Sequence, residues 1–437
     1  MIEGRNILCI ASDWSYDPTS KHHIMKRLAE RNEIIWVSYH GSRRPKLSAS
    51  DFGAVMGKLR RVVQGPRRVD RHVTVVTPLV VPMPGSAVVA RLNRRLLTLQ
   101  IRRVLQDLPR RPVQLWSFAP DVDYLCGRFG EECVVYYCVD EFSEFAGYDR
   151  RAILSAERRL ATKADLVVTT SQALFDAKGP LNANTVLVPH GVDYSHFAKA
   201  TLSDTAVPAD IAGLPRPILG FWGLVQGWVD VGLIRQLAVG RPDWSVVLIG
   251  EVATDVSALR ELPNVYLLGR RPYASLPGYA RGFDAGLIPF RVDALTRAVN
   301  PIKLREYLSA GLPVVSTPLP EVRRYAGLVR VAEAGDEYIA ACDEVLGVCR
   351  ETAGTVHSVG DVQVAARQTA MRGETWAAKV EEVCCRLQTC LVGRYSGASR
   401  RGEGALHDSG ISRLPGEGEG HPHLQLKRSS NRERRAD

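Results

Sequence analysis

The stretch Asn300-Pro301-Ile302-Lys303-Leu304-Arg305-Glu306-Tyr307-Leu308-Ser309-Ala310-Gly311-Leu312-Pro313-Val314-Val315 reads as a helix that begins at a proline, stops at a glycine and runs into a strand. Proline suits the first helical position, where its missing N–H costs nothing. The first turn of such a helix offers unpaired amides and a positive dipole end, which suits a phosphate. Lys303 lies in that turn and Arg297 just before it, so two cations are expected to converge on one anion. Glu306 follows one turn on, where a carboxylate accepts hydrogen bonds from a ribose diol. Taken alone, Lys303 and Glu306 would more often be an i, i+3 pair on a solvated helix face; the surrounding pattern favours the anion site.

Working outward, short apolar runs alternate with helical patterns. Ile7–Ala11, Glu33–Tyr39, Val73–Val81, Val113–Phe118, Cys133–Val139, Leu166–Thr170 and Thr185–Val188 have strand length in the first half. Ile218–Trp222, Trp244–Ile249, Val265–Leu268, Ala285–Pro289 and Pro313–Ser316 do so in the second. Helical patterns lie between them, at Ala87–Leu108, Arg150–Lys163, Val231–Val239, Leu276–Arg281 and Tyr338–Arg350 among others. Such alternation predicts parallel sheets with crossover helices. The expected architecture is α/β, with two doubly wound Rossmann-like domains facing across a cleft. Residues 1–197 form the first, 198–217 an Ala-, Pro-, Asp- and Gly-rich linker, and 218–370 the second. A helix at 371–392 is expected to pack back on the first domain. Residues 393–437 hold few large apolar side chains and are read as disordered. Ligands of such sheets bind outside the carboxyl ends of the strands, here in the cleft.

The 437 residues are 45% hydrophobic and 24% charged, which excludes disorder over most of the chain. No run of 18 apolar residues appears, and Met1-Ile2-Glu3-Gly4-Arg5-Asn6 lacks the layout of a secretion signal, so a cytoplasmic location is expected. The nine cysteines show no C-x-x-C spacing, and neither a zinc site nor a disulfide framework is expected. No G-x-G-x-x-G follows the first strand, which argues against a nicotinamide-dependent enzyme.

The helix segment, written Asn300-Pro301-x-Lys303-x-x-Glu306-Tyr307-Leu308-x-x-Gly311-x-Pro313-Val314-Val315, resembles the donor-binding signature of GT-B glycosyltransferases, especially family 4 and its teichuronic-acid-type and xanthan-type relatives. Pro189-His190-Gly191-Val192-Asp193-x-x-x-Phe197 is similar to the segment that closes the acceptor domain of that family. Gly220-Phe221-Trp222-Gly223 is similar to the first strand and turn of the donor domain. The resemblance covers roughly residues 5–390. It implies transfer of a sugar from a nucleoside diphosphate, UDP- or GDP-linked by preference, to an acceptor hydroxyl, with retention at the anomeric carbon. Closeness to the xanthan-type enzymes would instead imply inversion, with Asp140 as general base. Many relatives carry E-x7-E in this loop; here Ala298 stands in place of the first Glu, which the family links to the sugar hydroxyls.

On this reading Gly223, Arg271, Tyr273, Arg297, Asn300, Lys303 and Glu306 bind the donor, Tyr273 or Arg271 stacking on the base. Asp140, Lys303 and Glu306 carry the chemistry. Asp13, Trp14, Ser15, His22 and Glu141, at the carboxyl ends of expected strands, meet the acceptor, a glycan or lipid-linked glycan. No metal is expected: the one D-x-D, Asp121-Val122-Asp123, falls in the acceptor domain. A nucleotide-sugar epimerase of the same fold and an inert sugar-nucleotide or membrane-surface binder are the rival readings.

The region from Arg43 to Arg111 holds sixteen Lys and Arg against Asp51, Asp70 and Asp107. Arg91, Arg94, Arg95, Arg102 and Arg103 share one helical pattern with Val88, Val89, Leu92, Leu96, Leu99, Ile101 and Val104. A basic amphipathic helix suits an anionic membrane surface, here the inner face of the cell membrane. No nucleic-acid motif accompanies the charge, so no nucleic-acid partner is expected.

Overall fold

The computed structural model describes residues 1–15, 18–39, 65–79, 87–354 and 359–404. The basic stretch at 40–64 and residues 405–437 lie outside the described residues, whereas residues 393–404, expected to be disordered, continue the last helix. Two sheets organise the chain. The first runs β3-β4-β2-β1-β5-β6-β7-β8, built from β1 (Asn6–Ala11), β2 (Glu33–Ser38), β3 (Arg67–Asp70), β4 (Val73–Val76), β5 (Val113–Ser117), β6 (Cys133–Cys138), β7 (Leu166–Thr169) and β8 (Thr185–Leu187). Every neighbouring pair is parallel except β3 with β4. The second runs β11-β10-β9-β12-β13-β14, all parallel, from β9 (Ile218–Trp222), β10 (Ser245–Ile249), β11 (Val265–Gly269), β12 (Ala285–Ile288), β13 (Val314–Ser316) and β14 (Arg330–Val331). Strand order reverses beside β1 in the first sheet and beside β9 in the second, which fixes where a ligand-binding crevice can open.

The central strands are buried at every position, as parallel strands covered on both faces must be. The strand expected over Val73–Val81 ends at Val76, two residues short of Pro78, which cannot donate to a ladder. The stretch at 198–217 is not a free linker in its packing: Ala200 and Ile211 are buried in the core of the second lobe.

The chain crosses between lobes twice, and the two crossings touch. Val192 N donates to Glu374 O at 2.8 Å, and Trp376 N donates to Val192 O at 3.3 Å. Gly191 permits this approach, since a Cβ there would lie 2.7 Å from Trp376 N. Beyond the crossing, the helix Trp376–Gly404 sets Trp376, Val380, Val383 and Leu387 into the core formed by β1, β2 and β6.

Candidate functional site

The helix α1 (Ser20–Ala29) follows β1, α2 (Ala87–Gln106) precedes β5, α3 (Gln172–Lys178) follows β7, and α4 (Ile302–Ser309) leads into β13. Pro301 is the N-cap of α4 rather than its first helical residue. The start of α4 lies where the lobes meet: Ile302 packs on the first lobe's core, while Leu304, Tyr307 and Leu308 belong to the second lobe's core.

At the carboxyl end of β9 the chain turns at Gly223, whose φ of +133° is open only to glycine. Lys303 lies against that bare backbone, and a Cβ on Gly223 would overlap its Cε and Nζ. Its ammonium sits 5.4 Å from the ring centre of Phe221. Burial pulls the Lys303 pKa down, and Glu306 opposes the shift. Glu306 is buried, and Trp222 Nε1 donates to its Oε2 at 2.7 Å. Burial raises the Glu306 pKa, against the Trp222 hydrogen bond and the Lys303 charge. The pair, which taken alone would read as a solvated helix face, instead has Glu306 buried and Lys303 half-buried, at the switch point of the second sheet, with the cation held by an uncharged glycine turn.

Three other donor candidates are engaged elsewhere. The Asn300 side chain is buried, donating to Glu321 Oε2 at 3.0 Å and accepting from Arg305 Nη1 at 2.6 Å. Arg271 pairs with Asp210 at 2.9 Å and donates to the Tyr279 hydroxyl at 2.8 Å. Tyr273 stacks one ring face on His196 at 4.6 Å and meets His23 of the first lobe at 5.7 Å, so that face is closed to a base. Arg297 is exposed on a 3-10 turn, Thr296–Ala298, whereas Lys303 is half-buried against β9.

Ala298 explains that turn. Its side chain is buried in the first lobe's core cluster, and its carbonyl accepts from Ser171 Oγ at 2.6 Å. One residue on, Gln172 N donates to Glu321 Oε1 at 2.8 Å. The start of α3 thus clasps the loop that leads into α4. A carboxylate at position 298 would start from a buried α-carbon in this core.

Among the acceptor candidates, Asp13 Oδ1 accepts from Ser15 N at 3.0 Å and Ser15 Oγ at 2.8 Å, shaping the turn after β1. Trp14 packs edge-on against Trp36 at 4.9 Å. His22 is spent on capping: its Nδ1 accepts from Thr19 N at 3.2 Å and its Nε2 contacts Trp14 O at 3.2 Å. Burial lowers the His22 pKa to about 4, so the ring is neutral near pH 7. Glu141 is held by Lys178 at 2.8 Å and by Ser143, which lowers its pKa even against burial. Asp140, by contrast, is half-buried at the end of β6 and its carboxyl is pushed up to about 6 by burial, with Lys21 pulling the other way.

Lys21, Trp222, Ser171 and Glu321 were not legible as site residues. Lys21 stood beside the more conspicuous His22-His23 pair, and the others act through partners 80 to 150 residues away. Among the described residues, no cluster of three or more His, Cys, Asp or Glu is placed to hold a metal ion.

The two-sheet fold recurs in solved structures. Sucrose-phosphate synthase from Thermosynechococcus elongatus superposes with a TM-score of 0.61 at 14% identity, over 90% of this chain and 100% of that one. Anabaena HepE in complex with UDP-glucose gives 0.60 at 13% identity, over 88% and 99%. This chain has the GT-B fold. Identities this low establish GT-B architecture and no more. In sequence, the chain is 32% identical over 254 residues to "Putative teichuronic acid biosynthesis glycosyltransferase TuaH" of Bacillus subtilis (strain 168), a match covering 53% of this chain and 63% of that protein. No family model matches the chain. In GT-B terms, β9 to β14 form the second lobe, and Gly223, Lys303 and Glu306 sit at its switch point.

Proposed function

We propose that this chain transfers a sugar from a nucleoside diphosphate, UDP- or GDP-linked, to the hydroxyl of an envelope glycan or its lipid-linked precursor. The observation that carries the reading is Lys303 lying against Gly223 at the carboxyl end of β9, beside the junction of the lobes. A half-buried cation in a low-dielectric pocket gains most when negative charge grows on a leaving diphosphate. The solved complex of HepE with UDP-glucose, and the relative named for teichuronic acid biosynthesis, support the same substrate class.

In the proposed step the acceptor oxygen bonds to the anomeric carbon, the bond from that carbon to the phosphate oxygen breaks, and the diphosphate leaves with the electron pair. Lys303 and the amides at the start of α4 take up the growing charge, with no metal required. Asp140 accepts the hydroxyl proton in a direct displacement, which inverts configuration; retention would send that proton to the departing diphosphate instead. The anomeric configuration of the product decides between the two routes.

An anionic membrane surface is the second partner proposed. The apolar residues of the 87–108 helix divide: Leu97, Ile101 and Val104 of α2 face the core, while Val88 and Leu99 stay 72% and 61% exposed. They share the outer face with Arg91, Arg95 and Arg102, all exposed. Among the described residues no helix is long and apolar enough to cross a membrane. A surface-lying helix is the geometry such a face suits.

The deciding experiment is a thermal-shift screen against UDP-, GDP-, ADP- and dTDP-sugars, followed by turnover with a membrane extract as acceptor. Stabilisation by a UDP- or GDP-sugar with transfer to lipid-extractable product is expected. Stabilisation without turnover would leave an inert binder, epimerised donor would indicate the isomerase, and no shift with any donor would remove the reading.

A further inference from the structure

A second cationic feature lies far from β9. Beside the amino ends of β5 and β6, at the opposite end of the strands from Asp13 and Asp140, a groove of about 540 Å³ opens between α2 and the turn before β6. Arg102, Arg110 and Arg128 line it, over an apolar floor of Leu105, Leu108 and Phe129. Arg102 is fixed across one wall: its Nε and Nη2 both donate to Arg128 O, at 3.1 and 2.9 Å. Among the described residues none of the three guanidiniums has a carboxylate within ion-pair distance. The acidic neighbours in sequence are Asp107, Glu131 and Glu132; Glu131 is turned onto the backbone amides of Gly127 and Phe129, and Glu132 pairs with Arg5.

Three arginines that line one groove with no carboxylate ion-paired to them repel one another, and an anion relieves that repulsion. Guanidinium forks match a phosphate, two N–H groups to two oxygens. The floor adds what inorganic phosphate cannot use: an apolar strip that accepts the first methylenes of a chain. The groove is continuous with the outer face of α2, where Val88, Leu92 and Leu99 are exposed among arginines. We propose that the Arg102–Arg110–Arg128 groove binds the phosphate of an anionic lipid headgroup, with the glycerol and upper acyl carbons over Leu105, Leu108 and Phe129. The proposal rests on the membrane-surface reading above and gives it a specific headgroup site.

The test uses the full chain and sedimentation with vesicles of phosphatidylcholine alone, or with phosphatidic acid or phosphatidylserine added at equal surface charge. The double variant Arg110→Gln/Arg128→Gln is compared with Arg91→Gln/Arg95→Gln, which removes the same charge outside the groove. All positions are exposed; the single variant Arg110→Glu provides a second probe, and melting curves check folding. Because a guanidinium–phosphate contact is worth roughly tenfold or more, the groove variant is expected to lose at least about tenfold more affinity for phosphatidic acid vesicles than the control. Wild-type preference for phosphatidic acid over phosphatidylserine is expected to vanish with it. Equal losses in both variants would overturn the groove and leave the membrane reading standing. No wild-type binding to any anionic vesicle would overturn both. Groove-dependent binding of inorganic phosphate, with vesicle binding unaffected by the groove variant, would overturn the lipid as its source.

Discussion

Lys303 lies across the bare α-carbon of Gly223, so closely that a β-carbon on Gly223 would overlap the lysine's Cε and Nζ. Eighty residues apart in the chain, the two form one device: a turn that only glycine can make, at φ +133°, vacates the space the ammonium fills. Substituting Gly223→Ala is expected to displace Lys303 as well as strain the turn by about 1–3 kcal/mol. Calorimetry should show loss of donor affinity beyond what the fall in melting temperature explains. Unchanged affinity would separate Lys303 from the glycine.

Lys303→Ala removes the charge directly while leaving the turn intact. A charge-assisted contact to diphosphate is worth about 1.5–3 kcal/mol, so donor affinity is expected to fall roughly ten- to hundredfold with the melting temperature of the free protein preserved. Wild-type affinity by titration calorimetry would take Lys303 out of the site.

Trp222→Phe keeps the aromatic packing against Phe197 and Tyr307 but deletes the donor to Glu306 Oε2. Leaving that buried carboxylate short of a partner should cost about 1–3 kcal/mol, read from urea denaturation. It should also push the Glu306 pKa further up, since the lost bond favours the ionised form. Equal stability of the two proteins would show that the bond is matched by water.

Ala298→Glu places in this chain the residue that many relatives carry. Here the side chain at 298 enters the first lobe's core, so the variant buries an unpaired carboxylate. The expected destabilisation is at least about 3 kcal/mol, with a melting temperature several degrees lower. A variant as stable as wild type would mean that the clasp between Ser171 and Ala298 opens at little cost.

If the transfer inverts configuration, Asp140 as the proposed general base sets the pH dependence. Burial favours its neutral form, so its carboxyl titrates near pH 6, and a general base must be ionised. Transfer rate is therefore expected to rise from pH 5 to 7 with a midpoint near 6. Asp140→Asn should flatten that limb and lower kcat by roughly 10²–10⁴. A rise that survives in the variant would assign the titration to another group.

The alternation of apolar runs and the proline-to-glycine helix were legible because they depend on neighbours in sequence. β1, β9 and β10 fall within a residue of their expected places, and α4 begins one residue after the proline at which the helix is expected to start. Strands buried on both faces must be continuously apolar, and helices must carry periodic stripes. Those constraints also placed Lys303 and Glu306 one turn apart at the start of α4.

What the sequence alone could not apportion is which polar side chains remain available. Arg271, Asn300, His22 and Glu141 looked like ligands in the chain, and each is held by a partner in the fold: Asp210, Glu321, the turn at Thr19 and Lys178. Trp222 and Glu306 are 84 residues apart, and Ser171 and Ala298 are 127 apart. Chain composition and local pattern dictate secondary structure because backbone geometry and side-chain period act over a few residues. Pairing, burial and the resulting pKa values depend on which distant segments the two sheets bring together, and only the tertiary structure decides that.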